Sequence, residues 1–206
     1  MSAFEFFFSF YGLLLGLSVA VIATGVATAI QHRRKIRIGY LTPMLALFVG
    51  LDIVSFWDSA WTNFRHLPFS YGLLVAGLAI ALVYFIAAAL VFPHDLDDGQ
   101  SLDDHFWANK KVVLLLTCVA NFLMFLATAA ANLGKPDAGI LVGGFAAGVV
   151  VYLALTVPAA LARRPTLFVV LVSVHIALYL ASAAATAMMP TALEALAPNH
   201  PGVSAQ

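Results

Sequence analysis

Charged residues are scarce in this sequence. Only 10% of its 206 residues are Asp, Glu, Lys or Arg, whereas a soluble domain carries about 25%. The ten acidic and ten basic residues cancel at pH 7. A chain without net positive charge lacks the electrostatic field that draws nucleic acid to a protein surface, so we expect no nucleic-acid partner.

Cysteine is nearly absent as well. The one cysteine, Cys118, lies inside an apolar run, which excludes an intramolecular disulfide, a CxxC redox pair and a thiolate metal cluster. The sequence also lacks HExxH, GxSxG, a catalytic cysteine with a matching base and an acidic pair on one helix face. We therefore expect no enzyme activity and no catalytic residues.

Apolar residues, by contrast, make up 63% of the chain. They form six runs, each long enough to cross the bilayer core, which takes ~20 helical residues. The runs cover residues 4–30, 41–64, 69–92, 112–133, 138–161 and 166–189. Short loops join them, so we predict an all-α integral membrane bundle of six helices, built from three antiparallel hairpins and embedded in the lipid bilayer. The bundle is a single domain over residues 1–190, followed by a flexible tail over residues 191–206.

Residues that hold cofactors are rare within these spans. His175 has no second histidine at its depth, so a bis-histidine haem is not expected. Lysine is absent from every predicted span, which removes a retinal Schiff base. We expect no cofactor.

The loop over residues 93–109 is acidic and invites comparison with a metal site. An EF-hand that starts at Asp95 needs an acid or amide at its fifth position and glycine at its sixth, but Gly99 and Gln100 stand there. We therefore expect no metal site in this loop.

The end of the same loop has the signature of a helix start. Ser101 with Asp104 predicts a capping box that opens a short interfacial helix. Phe106 and Trp107 follow, and aromatic residues often lie at the lipid headgroups. We expect this helix to lie at the membrane surface.

Basic residues fall mainly in alternate loops. Eight of the ten lie after the first, third and fifth runs: Arg33, Arg34, Lys35, Arg37, Lys110, Lys111, Arg163 and Arg164. The opposite side has only Arg65 and Lys135. Because cytoplasmic loops retain Lys and Arg, this asymmetry predicts that both termini lie outside the cytoplasm.

Polar residues follow one pattern in three of the spans, at positions i, i+4, i+7 and i+11. The second run has Asp52, Phe56, Ser59 and Asn63, the fourth has Asn121, Phe125, Thr128 and Asn132, and the sixth has His175, Tyr179, Ser182 and Thr186. This spacing keeps all four residues on one helix face. The pattern predicts a two-helix unit used three times.

The first polar residue of each set lies at a similar depth. Asp52, Asn121 and His175 are each about ten residues from the predicted cytoplasmic end, or ~15 Å at a helical rise of ~1.5 Å per residue. We predict that these three form a polar site at the bilayer midplane. The later residues are expected to line a cavity open to the outside: Ser59, Asn63, Thr128, Asn132, Tyr179, Ser182 and Thr186.

Asp52 is the strongest functional signal, because a carboxylate inside a membrane is costly and usually marks an ion pathway or a specific partner. The alternative is that Asp52 only fixes the helix register through a hydrogen bond to Asn121 or Ser55. Small residues also serve ordinary helix packing. Both interpretations stay open at the level of sequence.

Glycines form a second pattern. The fifth run has overlapping GxxxG spacings in Gly139, Gly143, Gly144 and Gly148, which permit close helix contact. They are candidates for packing within the bundle or for a homo-oligomer interface.

The segment from Phe6 to Gly12, together with Leu51-Asp52 and Ser55-Phe56-Trp57, resembles small polytopic inner-membrane proteins of bacteria that have no known activity. The resemblance implies a bacterial inner-membrane location only. The leading functional hypothesis is a small transporter or channel for protons, cations or a small polar solute. The second is a non-transporting subunit or lipid-interacting scaffold that acts through helix assembly.

Overall fold

The computed structural model describes residues 3–64, 70–94, 101–133 and 138–196, with side chains for residues 8–62, 70–94, 101–133 and 138–188. This part of the chain contains six helices and no strand beyond one isolated bridge between Arg37 and Ser101. The helices are α1 (Ala3–Gln31), α2 (Leu41–Phe64), α3 (Tyr71–Ala89), α4 (Leu102–Asn132), α5 (Ala138–Leu161) and α6 (Pro165–Leu196). All six are long and apolar enough to cross a membrane, which confirms the all-α six-helix bundle.

The boundaries of α2 and α5 coincide with the predicted spans, but α4 begins ten residues before the predicted 112. Ser101 is its N-cap, with Oγ accepting a hydrogen bond of 3.2 Å from the Asp103 amide. The prediction of a separate interfacial helix is therefore wrong. No glycine or proline interrupts the chain between 102 and 132, so nothing ends the first turns before the apolar run begins.

Phe106 was expected at the headgroups, but it is buried and packs edge-on against Phe168 of α6, with ring centroids 4.7 Å apart. Trp107 is partly exposed beside it. The last helix, α6, is longer than predicted and starts with Pro165, a residue whose fixed φ suits a first helical position. The acidic residues 95–98 and the end of the chain after Leu196 lie outside the described residues.

The helix α2 occupies the centre of the bundle. It packs against α1, α3, α4 and α6, whereas α5 packs against α4 and α6. Within the described ranges, the backbones of α2 and α5 do not approach each other closely, and neither do those of α4 and α6, although side chains bridge both gaps. A three-fold arrangement of hairpins around a shared axis would bring α2, α4 and α6 together in pairs, so the repeat is not confirmed.

Two loops and the first turns of α4 meet at one end of the bundle, which we call the basic end because it includes Arg33–Arg37, Lys110–Lys111 and Arg163–Arg164. The Leu102 amide donates to the Arg37 carbonyl at 3.2 Å, which joins the loop after α1 to the loop before α4. Lys110 reaches the loop after α5 in the same region. The basic loops therefore do gather on one side, as the alternation of the spans requires.

Candidate functional site

The carboxylate of Asp52 lies near the middle of α2 and is only 2% exposed. Its Oδ1 accepts hydrogen bonds from Tyr179 Oη at 2.6 Å and Asn121 Nδ2 at 3.4 Å. Its Oδ2 accepts from Tyr84 Oη at 3.1 Å and Tyr152 Oη at 3.0 Å. We call these five side chains the Asp52 cluster. Each comes from a different helix, α2 to α6, so the carboxylate ties together almost the whole bundle.

The partners of Asp52 are all neutral. Within the residues that the structure describes, no basic side chain hydrogen-bonds to it, and the four bonds come from three hydroxyls and one amide. A hydrogen bond to a charged group contributes about 1.5–3 kcal/mol, so four of them offset a large part of the cost of burying a carboxylate. The cluster therefore holds a negative charge without a countercharge, or shares a proton if Asp52 is neutral.

Tyr84 and Tyr152 come from α3 and α5, helices for which the sequence predicted no site residue. A buried tyrosine needs a partner for its hydroxyl, and each of these helices carries one tyrosine in its interior. The interior tyrosine of each helix was therefore the sequence signal that could have identified these two residues. Tyr84 is further held by the ring of Phe56, edge-on at 4.9 Å, and Phe56 lies against Tyr11 of α1 at 6.2 Å.

Asn121 is brought to Asp52 as predicted. Its Nδ2 also lies 3.2 Å from Tyr84 Oη and 3.0 Å from the carbonyl oxygen of Thr117, one turn earlier in α4. The bond to its own helix fixes the amide, so Asn121 presents a pre-oriented donor to the cluster. This is the same contact that the packing interpretation of Asp52 foresaw.

His175 lies one turn before Tyr179 but does not bond to Asp52. Its ring stacks on that of Tyr179, with centroids 5.0 Å apart and planes at 23°, and it meets Tyr152 edge-on at 4.8 Å. Its Nδ1 lies 3.4 Å from Thr156 Oγ1. The predicted trio is thus only partly assembled, because the Tyr179 ring, rather than His175, occupies the position beside the carboxylate.

A cleft of about 540 Å³ adjoins the cluster, in the space left because the backbones of α2 and α5 do not approach each other closely. Its polar lining consists of Ser55, Ser59, Asn121, Tyr152, His175, Tyr179 and Ser182. Asp52 itself is not part of the lining. Asn121, Tyr152 and Tyr179 stand between the carboxylate and the cleft, so any change in the Asp52 charge reaches the cleft through their hydrogen bonds.

The structure places some of the predicted cavity residues at the cleft and others away from it. Ser59, Tyr179 and Ser182 line the cleft, whereas Thr128 and Asn132 are buried elsewhere. Asn132 Nδ2 bonds to the Thr128 carbonyl at 2.7 Å, within α4. The physical reason is that α4 has neighbours in α2, α3 and α5 that cover its polar face, while among the described residues the backbone of α6 lies close only to those of α2 and α5.

Two further predicted members do not line the cleft either. Thr186 is exposed, and its Oγ1 donates to the carbonyl of Ser182 in its own helix at 3.0 Å. The side chain of Asn63 lies outside the described residues.

Lys110 is a buried cation that the sequence did not place in a span, because α4 was expected to begin later. It is 4% exposed, and its Nζ donates to the carbonyls of Ala159, Ala160 and Ala162 at 3.2, 3.3 and 2.5 Å. These groups form the C-terminus of α5, where the helix dipole favours a positive charge. The expectation that no lysine lies in a membrane helix is corrected, but the amine is fully used as a helix cap.

The glycines of α5 have no partner helix among the described residues: Gly139 and Gly143 form an open face, and Gly144 and Gly148 line the cleft. At Gly139, Gly143, Gly144 and Gly148, a Cβ would have no neighbour within 4 Å. Their role in a homo-oligomer stays a prediction. Within the described residues, they do not bring a neighbouring helix into close contact.

Comparisons with protein-family models, with curated proteins and with solved structures find no match for this chain. The function is therefore inferred from the Asp52 cluster and the cleft.

Proposed function

We propose that this protein is a small transporter of the bacterial inner membrane, which binds a proton at Asp52 and a small polar solute in the adjoining cleft. The observation that carries the proposal is a buried carboxylate held by three hydroxyls and an amide, three of which also line the cleft. Ionisable groups inside a membrane are expensive and usually belong to an ion or proton path.

A proton suits Asp52 better than a metal ion. Both carboxylate oxygens already accept two hydrogen bonds each, and the surrounding groups direct hydrogens at them. A metal ion such as Na⁺ or Ca²⁺ needs several oxygen lone pairs and room for a shell with bonds above ~2.3 Å. A proton needs the lone pair of one oxygen only.

Protonation of Asp52 gives a simple means of coupling. When the Tyr179 hydroxyl passes its proton to Oδ1 and regains one from a hydronium ion in the cleft, Oδ1 becomes a donor, and the Tyr179 hydroxyl accepts from it instead of donating. The Tyr179 hydrogen turns away from Asp52 and becomes available to a solute in the cleft. One protonation event thereby changes which hydrogen bonds the floor of the cleft offers.

The cleft opens on the half of the bundle that is remote from the basic end. Ser59 lies seven residues beyond Asp52 in α2, about 10 Å along the helix. Toward the basic end, the next turns of α2 bury Leu45, Phe48 and Val49 completely. With the basic loops in the cytoplasm, as the positive-inside rule favours, this is a state open to the outside, and both termini are outside as well.

The test is proton flux in liposomes that contain the purified protein and a trapped pH indicator. We expect an imposed pH gradient to decay faster with the wild type than with Asp52→Asn, and a transported solute to accelerate the decay. Asp58→Asn is the matched control, since Asp58 is exposed on the same helix and outside the cluster. Equal flux through the wild type and Asp52→Asn would overturn the proposal.

The second candidate is a non-transporting subunit or scaffold, and the open glycine face of α5 favours it. Gly139→Leu with Gly143→Leu would fill this face away from the cleft, and chemical cross-linking in native membranes would report the effect. Loss of a cross-linked species in the double variant, combined with no flux through the wild type, would support the scaffold instead of the transporter.

A further inference from the structure

The charges around the cleft are of one sign. Among the described lining residues there is no lysine or arginine, and only His175 can gain a positive charge. The carboxylate of Asp52 lies behind the lining, one hydrogen bond away from Asn121, Tyr152 and Tyr179. When Asp52 is ionised, the cleft is therefore an electrostatically negative surface.

The two tyrosine hydroxyls pass this charge on to the cleft. Tyr152 Oη and Tyr179 Oη donate to Asp52 at 3.0 and 2.6 Å. A phenol hydroxyl has one hydrogen and two lone pairs, so both groups retain only the capacity to accept. A solute that reaches them meets the negative ends of two O–H dipoles, which favour a positive group over an anion.

Aromatic and apolar side chains complete the lining. Four rings border the cleft, those of Phe145, Tyr152, His175 and Tyr179. Aromatic rings attract cations through the negative potential of their faces, and sets of such rings recognise quaternary ammonium ions. Val149, Val151 and Leu178 also line the cleft and can contact alkyl groups. This surface suits a cation with an apolar shell better than an inorganic ion, which needs a shell of oxygen ligands.

The size of the cleft limits the size of the cation. Its volume of about 540 Å³ lies within the range of ~300–1,000 Å³ that is usual for small-molecule sites. Gly144 and Gly148 keep the α5 side open, because an added Cβ at either position would have no neighbour within 4 Å. The cleft thus has room for an ammonium ion that carries several alkyl groups.

We propose that the solute of this cleft is a small organic ammonium ion, held by the charge of Asp52 acting through Tyr152 and Tyr179 and by the surrounding rings. The inference rests on the proposed function, since it names the class of solute for the same site. A cation beyond the Tyr179 hydroxyl would lie ~6 Å from the carboxylate, and at an effective dielectric constant of about 20 this attraction strengthens binding roughly hundredfold.

A proton on Asp52 and a cation in the cleft exclude each other, because the proton removes the negative charge and turns the Tyr179 hydrogen toward the solute. The titratable side chains around Asp52 on α1 and α3 to α6 are Tyr11, Tyr84, Cys118, Tyr152, His175 and Tyr179. Tyrosine and cysteine are ordinarily neutral near pH 7, so among these described residues only His175 can add a positive charge. Binding is therefore measured at pH 8, where an ordinary histidine is neutral.

The experiment measures the binding of radiolabelled choline to the detergent-purified protein by scintillation proximity. The competitors are unlabelled choline and 3,3-dimethylbutan-1-ol, a neutral molecule in which carbon replaces the choline nitrogen. We expect choline to displace the label at a concentration at least about tenfold below that of the alcohol. Asp52→Asn should weaken choline binding roughly tenfold to hundredfold. Asp58→Asn, at an exposed position of the same helix outside the lining, is the control and should retain binding.

A second pair of variants tests whether the cation lies in the cleft. Gly148→Leu places a side chain in the open space of the cleft and should abolish choline binding. The new side chain meets no neighbour at its Cβ, so the fold should be kept. Gly139→Leu, on the same helix but outside the lining, should bind choline as the wild type does.

Four results would overturn the cation site: no saturable binding of either choline or tetraethylammonium, equal competition by choline and the alcohol, undiminished binding in Asp52→Asn, or full binding in Gly148→Leu. Binding is measured without a gradient, so its result is separate from that of the flux assay. Choline selectivity without proton flux would support the cation site and overturn transport. Proton flux with equal competition by the two molecules would support transport and overturn the cation site.

Discussion

The hydroxyl of Tyr179 lies 2.6 Å from Oδ1 of Asp52, across 127 positions of sequence, and this is the shortest of the four hydrogen bonds that the carboxylate accepts. The contact joins α6 to the central helix α2. Because Tyr179 also lines the cleft, as Asn121 and Tyr152 do, it is one of the groups through which a change in the Asp52 charge reaches the cleft.

Tyr179→Phe removes the hydroxyl and leaves the ring. We expect the free energy of unfolding to fall by about 1–2 kcal/mol, below the full value of a charge-assisted hydrogen bond because the other three donors remain. Unfolding by SDS titration in mixed micelles measures the change. Tyr71→Phe is the control, because Tyr71 is 80% exposed at the start of α3, and an equal loss in that variant would contradict the prediction.

Asp52→Asn and Asp52→Ala should differ in stability. The asparagine keeps an acceptor oxygen, and its amide can donate to a tyrosine hydroxyl, so we expect a change of less than about 1 kcal/mol. The alanine leaves three hydroxyls and an amide without their acceptor and should cost about 3 kcal/mol, since unsatisfied buried groups are expensive. The same SDS titration compares the two. Similar stabilities would argue that the donors find other partners.

Lys110→Met should loosen the junction between α5 and α6. The variant keeps most of the side-chain volume but removes the donor to three carbonyls at the end of α5, for an expected loss of about 2 kcal/mol. Lys111→Met, at an exposed neighbouring position, should have little effect. Proteolysis of the loop around Arg163, followed over time, provides a local measurement beside global unfolding. No difference between the two variants would contradict the role of Lys110 as a cap.

Cysteine labelling tests whether water reaches the cleft. The native Cys118 is buried, so the wild type should react slowly with a membrane-impermeant maleimide. Ser182→Cys should react quickly because Ser182 lines the cleft, and Thr128→Cys should not because Thr128 is buried. Labelling in intact cells also reports on which side the cleft opens. Rapid reaction at 128, or none at 182, would contradict the site described here.

The candidate site was predictable in part. Asp52 and Asn121 stood out because polar residues in a membrane helix are conspicuous, and the structure does bring them together. His175 was predicted beside Asp52, but Tyr179, one turn later in α6, takes that position. Sequence spacing gives the depth and helix face of a residue but not which neighbour lies between two side chains. Tyr84 and Tyr152 were missed because tyrosine is common in apolar helices. Only the three-dimensional arrangement of the helices shows that both hydroxyls bond to one carboxylate.

The sequence by itself determined the six helices and the gathering of basic loops at one end, because the length and hydrophobicity of a span are local properties that the bilayer thickness makes decisive. Tertiary structure alone decided that the backbone of α5 stays away from that of α2 and that four donors from four helices converge on Asp52. Helices in lipid have little hydrophobic drive to associate, so their neighbours are chosen by side-chain fit and hydrogen bonds between distant segments. Contacts of this kind between distant segments leave no periodic pattern in a single sequence.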